Sequence, residues 1–438
     1  VENSVLYTFL CFFTFCRIRL KFIAFYADTV DGVLSAKEHK DMDIAKNAKK
    51  TVCIAAFCLL FLNGFAVDFF SVNTGAGTAD IIPGDASKKT EVKFRAFYGT
   101  QIQAGKRFLA NAGISLRSGN LFDTMEPRDI PSLFNIDELS FMYRFRMEQA
   151  LSQIAFFMGE YEPLGDDVFA RRYLGTRLFN SYFLQKRIGF PVPAIIPAEG
   201  IGGSFTVRYK NIAGALYTNY AEKNGKKHMN IDARIAGVSN ALIVDFLFGV
   251  TLPFEDRDSN GEKVVAVIRT VDFHTGLTML VGDNPFVNLY MQAGIARLRA
   301  KPAAGEKIFV LDDLYAFLEP RFSIQKVLFS LSLFHLPPHT YQNISYADYP
   351  LGASFMIKSV PLNLKSANWV FGGILSVSMP NPAVSPFSIK TMSIQAVPYF
   401  ECGVGKGVFK AELPVRPLSY DDVGKLISLS ISYKVTNF

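Results

Sequence analysis

The sequence predicts an all-β chain, a transmembrane antiparallel β-barrel of about sixteen strands within a span of roughly fourteen to eighteen. Short periplasmic turns and long extracellular loops are expected to join them. Three observations carry this expectation. Apolar and small or charged residues alternate with period two over segments long enough to cross a membrane as tilted strands. No uninterrupted apolar run of eighteen residues follows Leu62, which leaves no helical span. A leader-like segment precedes the alternating region and marks the chain for export.

That segment lies at residues 42–66. Lys46, Lys49 and Lys50 form a basic start, Thr51 to Leu62 is apolar, and Gly64 and Ala66 supply the small residues of a cleavage site. Cleavage is expected after Ala66. A signal peptide opens a chain, so residues 1–41 are expected to be an over-extension of the gene reading. Residues 67–90, rich in Gly, Thr and Asp, read equally as a short plug, an extra strand or a tail, and 91–438 as the barrel. Of the five cysteines only Cys402 lies beyond residue 66, so a disulfide scaffold is excluded.

Composition narrows the class further. The chain is 50% apolar, 14% aromatic and 19% charged, which excludes a disordered chain. Forty-six basic against 39 acidic residues, without basic runs, leave no nucleic-acid footprint.

The clearest strand is near the C-terminus, where Ile427, Leu429, Ile431, Tyr433 and Val435 alternate with Ser428, Ser430, Ser432, Lys434 and Thr436. The same rhythm sets Leu139, Phe141, Tyr143 and Phe145 against Ser140, Arg144 and Arg146. It sets Val244, Phe246, Phe248 and Val250 against Asp245, Gly249 and Thr251, and Phe329, Leu331 and Leu333 against Ser330 and Ser332. Breaking the chain at clusters of Gly, Pro, Asn and Asp gives strand-like segments at 91–99, 106–117, 138–147, 151–160, 202–209, 212–221, 230–238, 241–252 and 271–281. Further along they fall at 286–299, 308–319, 323–334, 351–360, 368–379, 390–400, 404–413 and 426–437. That is one more than an even number, so one segment is expected to be spurious or one missed. Long connections are expected at 118–137, 161–201, 253–270, 335–350 and 414–425. Tight ones are expected at Lys210–Asn211, Ser239–Asn240, Gly282–Pro285 and around Cys402–Gly403. Full closure follows from backbone chemistry, because a sheet edge in lipid leaves N–H and C=O groups without partners.

With its leader, its alternating segments and the terminal strand LISLSISYKVTNF, the chain over 67–438 resembles a bacterial outer-membrane β-barrel of the porin-like type. Its aromatic and glycine-rich style is similar to that of spirochaetal proteins. The resemblance implies outer-membrane lipid and the barrel-assembly machinery as partners, the latter reading Tyr433 and the terminal Phe438. Phe438 departs from the pattern, being one residue out of phase with Tyr433. The function implied is passive diffusion of small hydrophilic solutes or ions. Alternatives are a hydrophobic-compound transporter like the fatty-acid channels, with 67–90 as a hatch, and a surface adhesin or structural barrel. Asn381-Pro382-Ala383 lies far from the N-terminal position such a transporter requires.

Other chemistry is not encoded locally. GIGGSF at 200–205 and GVGKGV at 403–408 fit neither dinucleotide nor P-loop spacing. Pro337 and Pro338 separate His335 from His339 and prevent a helical ligand pair. GxSxG is absent, and the reading is of a non-enzyme without catalytic residues, cofactor or metal. Asp166, Asp167, Arg171 and Arg172, in the longest loop, are candidates for an inward-folded constriction with opposed charges, or for exposed ion pairs on a helical turn. Arg144, Arg146, Arg208, Arg234 and Asp245 fall on polar strand faces and are expected to point into the lumen, since an arginine in lipid costs about 2–4 kcal/mol near the midplane.

Overall fold

The computed structural model describes residues 69–436 outside 85–88, 123–133, 163–167, 177–180, 185–194, 197–198, 224–225, 258–262, 269–270, 283–286, 301, 303–306, 342–343, 345, 365–366, 383–387, 389–390 and 420–422. The strands are β1 (Phe69–Ile82), β2 (Glu91–Ala104), β3 (Phe108–Asn120), β4 (Phe134–Met147), β5 (Ala150–Gly159), β6 (Ile201–Tyr209), β7 (Ile212–Lys223), β8 (Lys226–Val238), β9 (Leu242–Arg257) and β10 (Lys263–Ile268). They continue as β11 (Asp272–Val281), β12 (Val287–Arg299), β13 (Leu314–Ile324), β14 (Val327–His335), β15 (Leu351–Ser359), β16 (Leu362–Leu364), β17 (Ala367–Met379), β18 (Ser393–Val404), β19 (Gly407–Glu412) and β20 (Leu429–Thr436). Three short helices, α1 (Val168–Leu174), α2 (Pro338–Tyr341) and α3 (Val423–Leu426), lie between strands.

Eighteen of these strands close a single antiparallel barrel. Each pairs with its sequence neighbours, and β1 pairs with β20, from Thr74 opposite Thr436 to Ile81 opposite Leu429. Two strands fall outside the count. β10 pairs only with β9, extending that strand as a hairpin, while β11 pairs with the earlier part of β9. β16 continues β15 along β17 after a one-residue register shift at Val360–Pro361.

The alternation seen in the sequence is the difference between the two faces of this wall. Phe156, Phe205, Leu216, Phe246, Phe248, Leu331, Leu333, Phe355 and Leu375 are exposed on the outside. Ser140, Ser204, Thr206, Asn230, Thr278, Gln292, Ser330, Ser354 and Ser376 are buried on the inside. A one-residue slip on any strand would exchange the two sets, so the pattern pins the register.

About sixteen strands was the expectation; all seventeen segments lie on wall strands, and the eighteenth, the one missed, is β1. Residues 69–82 lie in the wall, so they form neither plug nor hatch. Its outward positions Ser71, Asn73, Gly75, Gly77 and Ala79 hold no large apolar group, which removes the signal that marks the other strands. Two further expectations shift. The 253–270 connection contains the end of β9 and all of β10. The turn expected around Cys402–Gly403 falls at Gly405–Lys406, Gly405 taking a left-handed φ of 58° that glycine adopts without strain.

β13 runs on past 319 and β14 begins several residues later than its segment, because the chain does not turn at Pro320. That residue sits inside β13 opposite Leu289, and the β13–β14 ladder is interrupted between Leu318 and Arg321, where a proline has no N–H to give.

Connections alternate around the two rims. Gly105–Arg107, Glu148–Gln149, Lys210–Asn211, Gln325–Lys326 and Gly405–Lys406 are tight and share one rim with the Phe69 end of β1 and the Thr436 end of β20; the strands flanking the connections 121–133, 160–200, 300–313, 336–350, 380–392 and 413–428 meet them at the other rim.

β1 is antiparallel to both β2 and β20, so those two run parallel to each other. Deleting residues 69–82 would leave seventeen strands with two edges that cannot pair as antiparallel neighbours. The heat-modifiable, SDS-resistant form on electrophoresis is expected to disappear; its persistence would mean that the wall closes without β1.

Candidate functional site

The site is the interior of the barrel, and it is built where described residues of the long 160–200 connection meet the inner wall. Tyr161, Glu162, Phe169, Ala170 and Tyr173 are all buried there. Glu162 is the hub. It accepts from Arg172 Nη1 at 2.9 Å, from Tyr173 Oη at 2.8 Å and from Tyr217 Oη, on β7, at 2.6 Å. Arg172 also reaches Glu138 of β4 at 3.6 Å and lies 5.0 Å from the centre of the Tyr161 ring. Burial pushes the Tyr161 and Tyr173 hydroxyls upward in pKa, and the neighbouring Glu162 charge adds to it, so both stay protonated as donors. Gln153 of β5 donates to Tyr173 at 2.8 Å and to Tyr161 at 3.3 Å. α1 is thus held against the wall by one buried carboxylate and its donors.

A second attachment is made by Glu319 on β13. Its carboxylate accepts from Ser181 Oγ at 2.7 Å, from the backbone N–H of Tyr182 at 2.9 Å and of Phe183 at 3.2 Å, and from Arg321 Nε at 2.7 Å. Ser332 of β14 completes the set at 3.0 Å. The Arg321 guanidinium is 4.2 Å from the Tyr182 ring centre and 5.1 Å from that of Tyr290. Beside it Phe183 stacks on Phe334 at 4.7 Å, and Tyr346, from the 336–350 connection, donates to Glu412 at 2.7 Å. Two long connections therefore place side chains inside the barrel.

Several other inward charges are also neutralised in place. Arg234 on β8 and Asp245 on β9, diagonal neighbours opposite Leu247 and Ala236, form a buried two-pronged pair with Nε at 2.9 Å from Oδ1 and Nη2 at 2.5 Å from Oδ2. Phe169 of α1 lies against this guanidinium, 4.9 Å away. Asp232 and His274 meet at 2.6 Å across Gly249, which pairs with both. A Cβ at Gly249 would strike both side chains, so the contact requires glycine. Lys410 pairs with Glu412 at 2.7 Å, and Lys358 with Glu401 at 3.3 Å.

The sequence-predicted residues separate accordingly. Arg234 and Asp245 are together and buried. Arg172 turns to Glu162 and Glu138, while Arg171 remains exposed on α1. Asp166 and Asp167 lie outside the described residues, as does Phe438. Arg144 donates to Gln153 at 3.0 Å, Arg208 donates to the Lys210 carbonyl at 3.2 Å, and Arg146 is exposed on the same face as Arg144. Tyr433 points outward and donates to the Val404 carbonyl at 3.1 Å.

Sequence reasoning missed Glu138, Asp232, His274, Glu319 and Arg321, although each sits on the polar parity of its strand. Glu162 carried no signal, being in a connection without periodicity.

No family model and no curated protein matches the chain. Similar solved structures include a BenF-like porin from Pseudomonas fluorescens Pf-5, at 10% identity over 85% of this chain and 100% of that one, with a TM-score of 0.49. OprB of Pseudomonas putida is 10% identical over 84% and 94%, with a TM-score of 0.39. Wzi, an outer-membrane carbohydrate-binding β-barrel involved in capsule assembly in Escherichia coli, is 9% identical over 87% and 87%, with a TM-score of 0.43.

Glu162→Ala would leave Arg172 largely buried beside Glu138 alone and deprive two tyrosine hydroxyls of their acceptor. The docking of α1 is expected to weaken by about 3–5 kcal/mol. Hydrogen exchange at the amides of residues 168–175 should accelerate while the strands keep their protection. Unchanged exchange there would mean that α1 is held by other contacts.

Proposed function

We propose that this chain is a bacterial outer-membrane, porin-like channel for passive diffusion of small hydrophilic solutes. The observation that carries the reading is the closed barrel, whose exposed apolar outer face suits lipid and whose inner face is polar and charge-bearing. In hydrocarbon such a wall satisfies every backbone group, and its inward polar groups remain with protein and water. Segments folded inward from the long connections narrow the passage, so the interior charges act on a permeating solute at short range. Export by the 42–66 leader, insertion by barrel-assembly machinery reading the last strand, and long connections facing outward belong to the same proposal.

The side-chain set inside the barrel favours a hydrophilic solute. Arg, Asp, Glu, Ser, Thr and Gln lie there among apolar and aromatic side chains, and the aromatic group around Phe183 is taken up by contacts with Phe317 and Phe334. Residues 69–82 lie in the wall, leaving the hydrophobic-transporter alternative without the hatch it needs from that segment.

Planar-bilayer recording on the purified protein tests this. Discrete conductance steps that scale with salt are expected. A heat-modifiable, β-rich protein that inserts and gives no steps would overturn the channel and favour a barrel whose role lies in its surface connections.

A further inference from the structure

Within the barrel, charge is distributed by sign as well as by pairing. Arg172, Arg234, Arg321, Lys358 and Lys410 each have a carboxylate within ion-pair distance. One group of inward basic residues does not. Arg146 of β4 and Arg208 of β6 both lie opposite Leu151 of β5, which places them two strands apart in one row, about 10 Å between backbones. Arg144 stands in the next row, opposite Gln153, its hydrogen-bond acceptor. Among the described residues no carboxylate is within ion-pair distance of these three side chains.

One more inward positive charge lies towards the same rim. Lys434, inward on β20 between Ala76 of β1 and Val408 of β19, is near the tight-turn rim that Arg146 and Arg208 also approach. Arg144, Arg146, Arg208 and Lys434 thus approach one rim with no carboxylate in ion-pair distance among the described residues. Packing alone does not call for that arrangement, since bringing cations together is unfavourable unless something negative enters between them.

We infer that Arg144, Arg146, Arg208 and Lys434 form an anion-collecting vestibule at the tight-turn mouth, and that the solutes passed are small oxyanions, carboxylates or phosphates. The inference rests on the channel reading and gives it a substrate class. Guanidinium forks bind two oxygens of a carboxylate or phosphate at once, and three on one wall offer a shallow, water-accessible site. A weak site suits conduction, because a solute must leave as readily as it enters. Basic groups around the mouth also raise the local anion concentration over a Debye length, about 8 Å at physiological salt.

The test is reversal potential in a potassium chloride gradient, with inorganic phosphate added as the oxyanion probe. The protein is expected to prefer chloride over potassium, and millimolar phosphate to reduce the chloride current. In Arg144→Ala/Arg146→Ala/Arg208→Ala the anion preference should fall, roughly twofold for each charge removed, and the phosphate effect should be lost. The triple lysine variant, which keeps the charge, should retain the preference for chloride and weaken the phosphate effect. Heat-modifiable mobility checks that both variants fold. Conductance steps without anion preference, or a preference unchanged in the alanine variant, would overturn the vestibule and leave the channel standing. No steps in any of the three proteins would bring down both.

Discussion

In hydrocarbon an unpaired backbone N–H or C=O has no water to turn to, so a strand wall survives there only when its last strand meets its first. Here Phe69–Ile82 meets both Glu91–Ala104 and Leu429–Thr436, and every other feature follows from that closure. An even number of antiparallel strands puts both ends of the wall at one rim and assigns tight turns and long connections to opposite sides. Because the wall is closed, its inner face encloses a limited volume. Long connections that fold inward must then satisfy their own polar groups against the inward side chains of the strands.

That second requirement explains the carboxylates. Glu162 and Glu319 each gather donors from a connection and from the wall, so each converts an irregular segment into a fixed part of the interior. A buried charge removed from one partner is costly, which makes such contacts selective for one arrangement even when their net contribution to stability is small. Glycines complete the design where large inward side chains must lie across a neighbouring strand. Gly249 allows Asp232 and His274 to meet, and Gly294 lies under the Tyr315 ring, where a side chain would collide with its hydroxyl.

Much of the wall was legible because period-two alternation is a local property. Leu139 to Phe145, Val244 to Val250 and Phe329 to Leu333 each declare their outward face without reference to any partner strand. β1 was not legible for the converse reason, since Gly75, Gly77 and Ala79 present too little apolar surface to alternate against Ala76 and Thr78. Pro320 misplaced a turn because the local rule, that proline breaks a ladder, operates here on one side of the strand only. For the interior, parity identified Arg144, Arg146, Arg208, Arg234 and Asp245 as inward. It was silent on which charge meets which, because Arg234 faces Asp245 only once the β8–β9 register is set. Glu162 lay beyond both kinds of reasoning, as its partners come from α1 and β7 at once.

The distinction between paired and unpaired charge is therefore a property of register and of connection folding together. Deep in the barrel, where α1 and the aromatic side chains exclude solvent, an uncompensated charge would have to give up hydration without return. Arg234, Arg172 and Arg321 meet that condition with carboxylates at 2.5–2.9 Å. Near the tight turns water reaches Arg146, and hydration holds the charge there, so no partner is required for folding. Solvent access together with register thus separates the basic residues held by carboxylates from Arg146, for Lys358, as close to the tight turns, is paired with Glu401.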